Sequence, residues 1–485
     1  MQLTSEVAGS APIDARSLYR RITLRLIPYM FVLYIVAYMD RVNVGFAAMD
    51  IQRQLHFSNT VYGAGGGIFF LGYALCNLPS SLLLRRVGTR LWIARIMISW
   101  GFISALMVFM RSPHSFYLLR FLLGVAEAGF VPGMLLYLTF WFPSHERAQA
   151  VALFMTATSL AGVVGAPLAS ALLKLDGLHG LSGWQWLFLM EGVPTVLLGV
   201  SVLFVLKDSP DKVSWLSPSE KLWLQRELQR DQALYGATVH HNLLDAFRLP
   251  AVWLLSAVYI VIQIGVYIVN LWMPLILSSL SPKGAAAASA SLIALYGILP
   301  YLLAAIFTVI IGRTSDRTNE RRWHIAACMA LAAAGFVWAA RAGNIPVALI
   351  AMSLVAIGLW STMGPFWALT TRMVGGAAAA GAVATITTIG GFGGFLGPYF
   401  MGRMKDVTHS FAGGLYAIGA LALCAALLTL TPHPAPRTPP QLNPDLRRFT
   451  ITVLRLTNCH PERSLSRSHR ERRSRRTPMN LTTPI

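Results

Sequence analysis

LLLRRVGTRLW (residues 82–92) and IGRTSDRTNERRW (residues 311–323) are two short basic stretches that each follow a long apolar run. The first stretch stands after the second apolar run of the chain, and the other stands after the eighth. A basic loop at the same place in two sets of six runs is typical of parallel repeats, which are related by an axis along the membrane normal. The two stretches therefore predict two halves of similar topology.

The composition indicates a membrane protein. Hydrophobic residues make up 55% of the chain and charged residues only 12%, whereas soluble domains carry about 25% charged residues. The mean hydropathy is +0.56, and runs of the roughly 20 residues that cross a bilayer recur along most of the chain. We therefore expect an all-α membrane protein with twelve transmembrane helices in two pseudo-symmetric six-helix bundles, and we exclude a soluble globular class.

Polar interruptions divide the chain into five predicted parts. These are a cytoplasmic N-terminal segment (1–23), an N-terminal six-helix bundle (24–206), a cytoplasmic central loop (207–250), a C-terminal six-helix bundle (251–430) and a basic cytoplasmic tail (431–485). Within the central loop, Ser217, Pro218 and Glu220 predict the start of an amphipathic helix with a capping box. The tail is rich in proline and arginine and cannot bury a core, so we expect it to be disordered.

The positive charge follows the predicted topology. A formal net charge of +20 could indicate a nucleic-acid partner, but the arginines cluster in alternate loops and in the tail. This is the pattern of the positive-inside rule, and it predicts that both termini are cytoplasmic. Arg403 and Lys405, after the eleventh run, go against the rule without reversing it. We expect a lipid bilayer around the chain and no nucleic acid as a partner.

The two basic stretches resemble the signature loops of the major facilitator superfamily. The matching residues are Arg86, Gly88 and Arg90 in the first stretch and Gly312, Asp316, Arg317 and Arg321 in the second. The resemblance implies that these residues take part in gating. Cationic side chains near helix ends can hold the cytoplasmic ends of neighbouring helices together. The alternative is that the loops reflect topology alone.

Longer stretches resemble one branch of that superfamily, the anion:cation symporter family, and in particular its bacterial tartrate- and sugar-acid-transporter-like members. The stretches include YMDRVNVGFAAMDIQRQLHFS (38–58), YLLRFLLGVAEAGFVPGMLLYLTFWFP (117–143) and GWQWLFLMEGVPTVLLGV (183–200). The resemblance implies proton-coupled symport, in the direction of uptake, of a small organic anion such as tartrate or a sugar acid. Alternating access, the bacterial inner (cytoplasmic) membrane, a monomer, and the proton as coupling ion with no cofactor are the corresponding expectations.

Charged residues lie deep within the first and fourth predicted spans. Asp40 and Arg41 interrupt an apolar run, although a charge at the bilayer centre costs about 3 kcal/mol on insertion scales. Arg120 and Glu127 are seven residues apart on the fourth span and so share one helix face. In the superfamily architecture, the first and fourth helices of each half face the central cavity. We therefore expect Asp40 to pair with Arg120, with Arg41 and Glu127 nearer the midplane.

The chemistry of these groups suggests a role for each. A guanidinium stays charged and matches a carboxylate with two prongs, which makes Arg41 the expected substrate anchor. Proton coupling needs groups that gain and lose a proton, which Asp40 and Glu127 can do, while Arg120 can alternate between pairing and release. The family's coupling acids and substrate arginine fall on the same three positions. The alternative is that these residues are structural ion pairs.

Polar uncharged residues complete the expected substrate site. Tyr38 and Tyr73 match cavity tyrosines of the family, and Gln263 resembles a substrate-contacting position. Trp360 and Ser361 stand near a Gly-Pro break in the tenth span, and Thr387 is on the eleventh. Hydroxyl and amide groups suit a polyhydroxy acid, although helix–helix hydrogen bonding is an equal alternative. We interpret Glu191, in FLMEGVP, as helix-end packing near the cavity rim and leave it outside the site.

Other classes of membrane protein fit less well. A channel would have fewer buried coupling charges and no two-half symmetry. An enzyme would need nucleophile or metal-ligand spacing, and the sequence has neither a His-x-x-x-His pair nor a Cys-x-x-Cys pair. We expect a protein that is not an enzyme and holds no metal. A transporter-like sensor, and a uniporter or exchanger of organic acids without proton coupling, remain open.

Overall fold

The structure is a computed structural model that describes residues 13–235, 248–282, 289–374 and 379–431. Within these ranges all regular structure is helical. The predicted basic tail lies outside the described residues except for its first residue, Thr431. The predicted N-terminal segment is described from Ile13 and the central loop only in part.

Twelve helices or broken helices cross the molecule. They are α1 (Ala15–Phe46), α2 (Asn59–Val87), α3 (Thr89–Leu106), α4 (Pro113–Glu127 and Phe130–Thr139), α5 (Ser144–Met155 and Ala157–Leu173), α6 (Gly183–Val205), α7 (Pro250–Ser279), α8 (Ala290–Tyr296 and Ile298–Thr318), α9 (Arg322–Ala340), α10 (Ile345–Met373), α11 (Ala379–Thr408) and α12 (Ala412–Leu430). Shorter helices cover Ala48–Leu55 and Pro218–Tyr235. We call the face where α1 begins and α12 ends the termini face, and the other the opposite face.

Helices that begin at the opposite face are capped by side chains. The first amide groups of a helix have no intrahelical partner, and a serine or asparagine oxygen satisfies one of them. The capping residues are Ser58 for α2, Ser112 for α4, Ser289 for α8 and Asn344 for α10. These polar residues therefore fix where the chain turns back into the membrane.

The helix Pro218–Tyr235 begins as the sequence predicts. The Ser217 amide donates to Glu220 (2.8 Å), and the Glu220 amide donates to the Ser217 hydroxyl (3.2 Å). Glu220 also forms an ion pair with Arg21 of α1. Burial acts to raise the pKa of Glu220, but the hydrogen bonds from Ser217 and Arg21 outweigh it and hold that pKa below its ordinary value. The capping box is confirmed, and it ties the central segment to α1.

Within the described residues, the two halves meet mainly through three packed pairs of helices. These pairs are α2 with α11, α5 with α8, and α1 with α7. If each helix is replaced by its counterpart in the other half, the pair α2 with α11 becomes α8 with α5. The pair α1 with α7 becomes α7 with α1 and so stays the same. The packing therefore has the pseudo-two-fold symmetry that the repeated basic stretches predict.

Ten of the twelve spans are long and apolar enough to cross a membrane by length and composition alone. The other two, α2 and α11, are rich in glycine, and they pack against each other between the halves. A Cβ added at Gly63 would lie 2.2 Å from the carbonyl oxygen of Pro398, and one at Gly402 would lie 2.2 Å from that of Asn59. Glycine therefore lets the backbones of these two helices approach each other closely between the halves.

Candidate functional site

Asp40 and Arg41 lie next to each other on α1 but contact different helices. Asp40 is buried and accepts hydrogen bonds from Trp100 Nε1 and from Ser104 Oγ (2.7 Å), both on α3. Arg41 contacts Glu127 on α4. Successive helical residues are about 100° apart around the helix axis, so one of the two groups points toward α3 while the other points toward α4.

Arg41 and Glu127 form an ion pair inside the first half. Nε of Arg41 lies 2.7 Å from Oε1 of Glu127, and the Glu127 side chain is only 1% exposed. The guanidinium carbon lies 5.1 Å from the ring centre of Tyr73 and 5.6 Å from that of Phe69. Aromatic faces at this distance attract a cation. Glu127, a predicted coupling acid, and the two rings thus hold the side chain of Arg41, the predicted anchor, in place.

The helix α4 is interrupted directly after Glu127. Ala128 has an extended ψ of 130°, and Gly129 has a φ of +90°. The Ser80 hydroxyl of α2 donates to the carbonyl of Ala128 (2.6 Å). A Cβ added at Gly129 would lie 2.1 Å from that same hydroxyl. Only glycine fits this turn, and Glu127, the predicted coupling acid, therefore sits at a helix end within the span.

Arg120 does not pair with Asp40, and that prediction is wrong. Arg120 is 1% exposed, donates to the carbonyl of Gly66 (3.2 Å) and lies 5.0 Å from the ring centre of Phe69. No ion pair joins Arg120 to Asp40, although the structure describes both. The Asp40 carboxylate is instead satisfied by the donors of α3. Sequence position gives the depth of a residue in the span, but it does not give the neighbour its side chain reaches.

A chain of hydrogen-bonded polar groups joins the two halves. Asn270 of α7 donates to the Tyr38 hydroxyl (3.4 Å), and the Tyr301 hydroxyl of α8 donates to Asn270 Oδ1 (2.8 Å). Trp360 packs edge-on against the Tyr301 ring, with ring centres 5.7 Å apart. The structure therefore brings the predicted Tyr38 and Trp360 together through two residues, Asn270 and Tyr301, that were not among the predicted site residues.

The remaining predicted site residues lie in the second half. Ser361 is fully buried, and its hydroxyl has no hydrogen-bond partner among the residues that the structure describes. Thr387 is half-buried and donates to the carbonyl of Val383 (2.8 Å). Gln263 is half-buried at the contact of α7 with α11. Of these three side chains, that of Ser361 carries a hydroxyl with no hydrogen-bond partner among the described residues.

The halves are also joined by hydrogen bonds at the opposite face. Asp406 of α11 accepts from the amide and the side chain of both Asn59 and Thr60, at 2.6–3.2 Å. The Tyr62 hydroxyl lies 2.9 Å from the carbonyls of Val44 and Leu271, one in each half. The sequence analysis missed this joint. The signal that could have indicated it is an acidic residue within the otherwise basic end of α11.

The predicted gating residues form the turns at the termini face. Gly88 has a φ of +97°, and the amide of Arg90 donates to Asp208 (3.0 Å). In the second stretch, Arg321 pairs with Asp316 (2.7 Å) and donates to the Ser315 hydroxyl (2.8 Å). Arg86 and Arg317 are exposed, and a Cβ added at Gly312 would meet no atom within 4 Å. Neither the Arg90 contact nor those of Arg321 join one half to the other.

Comparison with known proteins identifies the family. Residues 30–398 match the family model described as Major Facilitator Superfamily. The chain is 46% identical over 418 residues to a protein of Agrobacterium vitis that is provisionally named a tartrate transporter, and the match covers 86% of this chain and 91% of that protein. It is 39% identical to the "Quinolone resistance transporter" of Acinetobacter baumannii, with 85% of this chain and 94% of that protein covered.

A solved structure has a similar fold. The crystal structure of a bacterial homolog of the human lysosomal transporter Spinster, in an inward-facing and occupied conformation, matches with a TM-score of 0.68 at 18% sequence identity. The match covers 87% of this chain and 97% of that one. The family model spans most of the chain, and the close relatives are transporters rather than enzymes. This chain therefore belongs to the Major Facilitator Superfamily and is a multi-pass membrane transporter.

Proposed function

We propose that this transporter takes up a small organic anion, such as tartrate or a sugar acid, together with protons. We place it as a monomer in a bacterial inner membrane, with both termini in the cytoplasm. The observation that carries the proposal is the buried ion pair of Arg41 with Glu127. The name of the Agrobacterium vitis relative supports the choice of substrate class.

The ion pair couples a proton to an anion through charge balance. When a substrate carboxylate replaces Glu127 on Arg41, the displaced carboxylate is left charged in a dry site, which is costly. A proton on Glu127 removes that charge, so one proton and one carboxylate enter while the charge of the site stays the same. Asp40, held by Trp100 and Ser104, is the second acid in the proposal. Arg120 lies on the same helix segment as Glu127 and supplies a further cation.

The groups of the second half suit the hydroxyls of a polyhydroxy acid. The chain Tyr38–Asn270–Tyr301 offers hydroxyl and amide groups beside the anchor. The Ser361 hydroxyl has no partner within the described part of the chain. A substrate that binds Arg41 by its carboxylate and these groups by its hydroxyls would contact both halves.

The joint at the opposite face supports transport by alternating access. Asp406 and Tyr62 hold the halves together on that side, so in this conformation we expect substrate to exchange through the termini face. Transport requires the joint to open and the termini face to close. We assign the closing contacts to Arg86, Gly88 and Arg90 and to Gly312, Asp316, Arg317 and Arg321.

Uptake into proteoliposomes tests the proposal. The purified protein is reconstituted, and labelled tartrate, galactonate, glucarate and a quinolone are supplied with and without an imposed pH gradient, acidic outside. We expect at least one sugar acid or tartrate to accumulate above its external concentration and to leave when a protonophore is added.

Three other outcomes would overturn the proposal. Exchange without accumulation would identify an exchanger or uniporter. Saturable binding without flux would identify a sensor. Movement of the quinolone alone would assign the chain to the substrate class in the name of the Acinetobacter baumannii relative.

A further inference from the structure

Glu191 is a buried carboxyl group that the proposed transport cycle has not yet used. It lies in the interior of α6 and is 6% exposed. Neither of its side-chain oxygens has a hydrogen-bond partner among the described residues. The interpretation of Glu191 as helix-end packing therefore needs correction, because α6 continues for fourteen further residues, to Val205.

Close packing of α6 on α3 places Glu191 beside the Asp40 site. A Cβ added at Gly192 would lie 2.6 Å from the amide nitrogen of Ala105, and one at Gly101 would lie 2.7 Å from the carbonyl oxygen of Gly192. On α6, Glu191 comes directly before Gly192. On α3, Ser104 comes directly before Ala105 and donates to Asp40. Helix α1, which carries Asp40, also packs against α6. Helices α1, α3 and α6 thus meet around two acidic groups.

No cation is placed to neutralise Glu191 in the described segments that pack on α6. On α1, Arg41 is paired with Glu127, and the Tyr29 hydroxyl is bonded to Ser201, almost three helical turns along α6 from Glu191. The other charged groups on these elements are Arg16, Arg20, Arg21 and Arg25 near the termini-face end of α1, Arg90 and Arg95 of α3, and Asp50 with its partner Arg53 on Ala48–Leu55. Arg90 stands at the termini-face end of α3, and Arg95 donates toward Ala126 of α4. The segment Ala157–Leu173 of α5 has no titratable residue.

The hydrogen bonds indicate which of the two acids carries the proton. Trp100 Nε1 can only donate, so the Asp40 oxygen that it contacts is an acceptor, and Ser104 donates to the other oxygen. Asp40 is therefore suited to be the carboxylate. A charged Glu191 would have neither donors nor a cation among the residues that the structure describes, a state that a low-dielectric interior strongly disfavours. Glu191 is therefore suited to be the neutral acid, and the pair holds one proton.

We propose that Glu191 is a further proton-carrying residue of the transport cycle and shares one proton with Asp40. In the conformation described here the proton stays on Glu191. The step is the transfer of that proton from a Glu191 carboxyl oxygen to an Asp40 oxygen in another conformation of the cycle, which leaves Glu191 as the carboxylate and the charge of the pair unchanged. This relay lies on the α3 and α6 side of α1, away from the Arg41–Glu127 pair. The inference rests on the proposed proton symport, and it adds a second place where a proton is held.

Replacing Glu191 by glutamine tests the inference, because glutamine keeps the shape and neutrality of the protonated acid but cannot release a proton. The probe is labelled tartrate, or the acid of the panel that is taken up. We expect Glu191→Gln to lower accumulation driven by the pH gradient at least tenfold, while counterflow of labelled against unlabelled acid still proceeds. Glu146→Gln, at the termini-face start of α5, is the matched control and should accumulate like the wild type.

Each result separates this inference from the proposed function. Accumulation by Glu191→Gln equal to that of the wild type would overturn the inference, since a permanently neutral packing group loses nothing as glutamine. If the wild type itself shows no dependence on the pH gradient, the proposed symport fails instead. Should Glu191→Gln lack counterflow, the pair Glu191→Asp and Glu191→Asn decides: higher accumulation with aspartate supports the relay, and equal accumulation overturns it.

Discussion

Asp406 and Thr60 are 346 residues apart in the chain and are joined by two hydrogen bonds. The Thr60 amide lies 2.7 Å from Asp406 Oδ2, and the Thr60 hydroxyl lies 2.6 Å from the same oxygen. The carboxylate of one half thus caps the first turn of α2 in the other half, where free amides and the helix dipole favour a negative charge. A contact within one half could persist through alternating access, but this one must break when the halves separate at the opposite face.

Asp406→Ala should weaken that joint. Loss of a helix cap costs about 0.5–2 kcal/mol, which corresponds to a population shift of up to roughly thirtyfold toward the conformation open at the opposite face. The measurement is the rate at which a thiol reagent labels a cysteine placed at Val61, in a chain without other cysteines, and we expect faster labelling. Asp50→Ala is the control, because Asp50 pairs with Arg53 within one half at the same face. Equal rates in the two variants would rule out a role for Asp406 in closing that face.

Gly45→Ala should destabilise the described conformation. A Cβ added at Gly45 would lie 1.9 Å from the carbonyl oxygen of Asn270, where α1 crosses α7. Overpacking of this kind costs about 1–3 kcal/mol, and a lower midpoint of thermal unfolding in detergent should show it. Gly391→Ala is the control, because the nearest atom to its added Cβ is 3.9 Å away. A wild-type midpoint for Gly45→Ala would mean that α1 and α7 do not approach so closely.

Arg41→Lys should reduce uptake at least tenfold. Lysine keeps the positive charge but not the planar fork that binds a carboxylate with two parallel hydrogen bonds. The apparent affinity for the transported acid, measured by initial uptake rates over a range of concentrations, should fall. Arg53→Lys makes the same exchange at a side chain that is 70% exposed, and it should behave like the wild type. Unchanged affinity in Arg41→Lys would remove Arg41 from the substrate site.

Glu127→Gln should separate binding from coupling. Glutamine cannot pair ionically with Arg41 or take up a proton, so the anion no longer needs a proton to displace it. We expect counterflow to proceed and accumulation driven by the pH gradient to fall at least tenfold. Both quantities are measured in the same proteoliposomes. If Glu127→Gln still concentrates the acid, the proton that drives uptake is carried elsewhere.

The fold was largely predictable because its signals are local. A long apolar run, a basic loop and a capping serine each act within a few residues, and the capping box of Ser217 and Glu220 was confirmed in detail. The close approach of α2 to α11, as at Gly63, follows instead from the tertiary arrangement of the two halves.

The site was less predictable, because adjacent residues on a helix face different neighbours. Asp40 and Arg41 were assigned to one cavity, but the Trp100 and Ser104 donors that hold Asp40 belong to another helix. Glu191 was recognised as a charged residue within a span and set aside, since its proximity to Asp40 depends on how α6 packs against α3. The direction of a side chain around its helix and the helix it packs against, rather than its depth, explain why the predicted pairing of Asp40 with Arg120 was wrong.

The interruption of α4 at Ala128 and Gly129 has a mechanical consequence. The segment Pro113–Glu127 carries Arg120 and Glu127 together, and the segment that follows begins a new helix at Phe130. The fourth span therefore consists of two helical segments joined by Ala128 and Gly129, next to Glu127, which pairs with Arg41. If Glu127 takes up a proton as we propose, its ion pair with Arg41 is lost, and the same protonation step frees α1 from α4 at the point where α4 is interrupted.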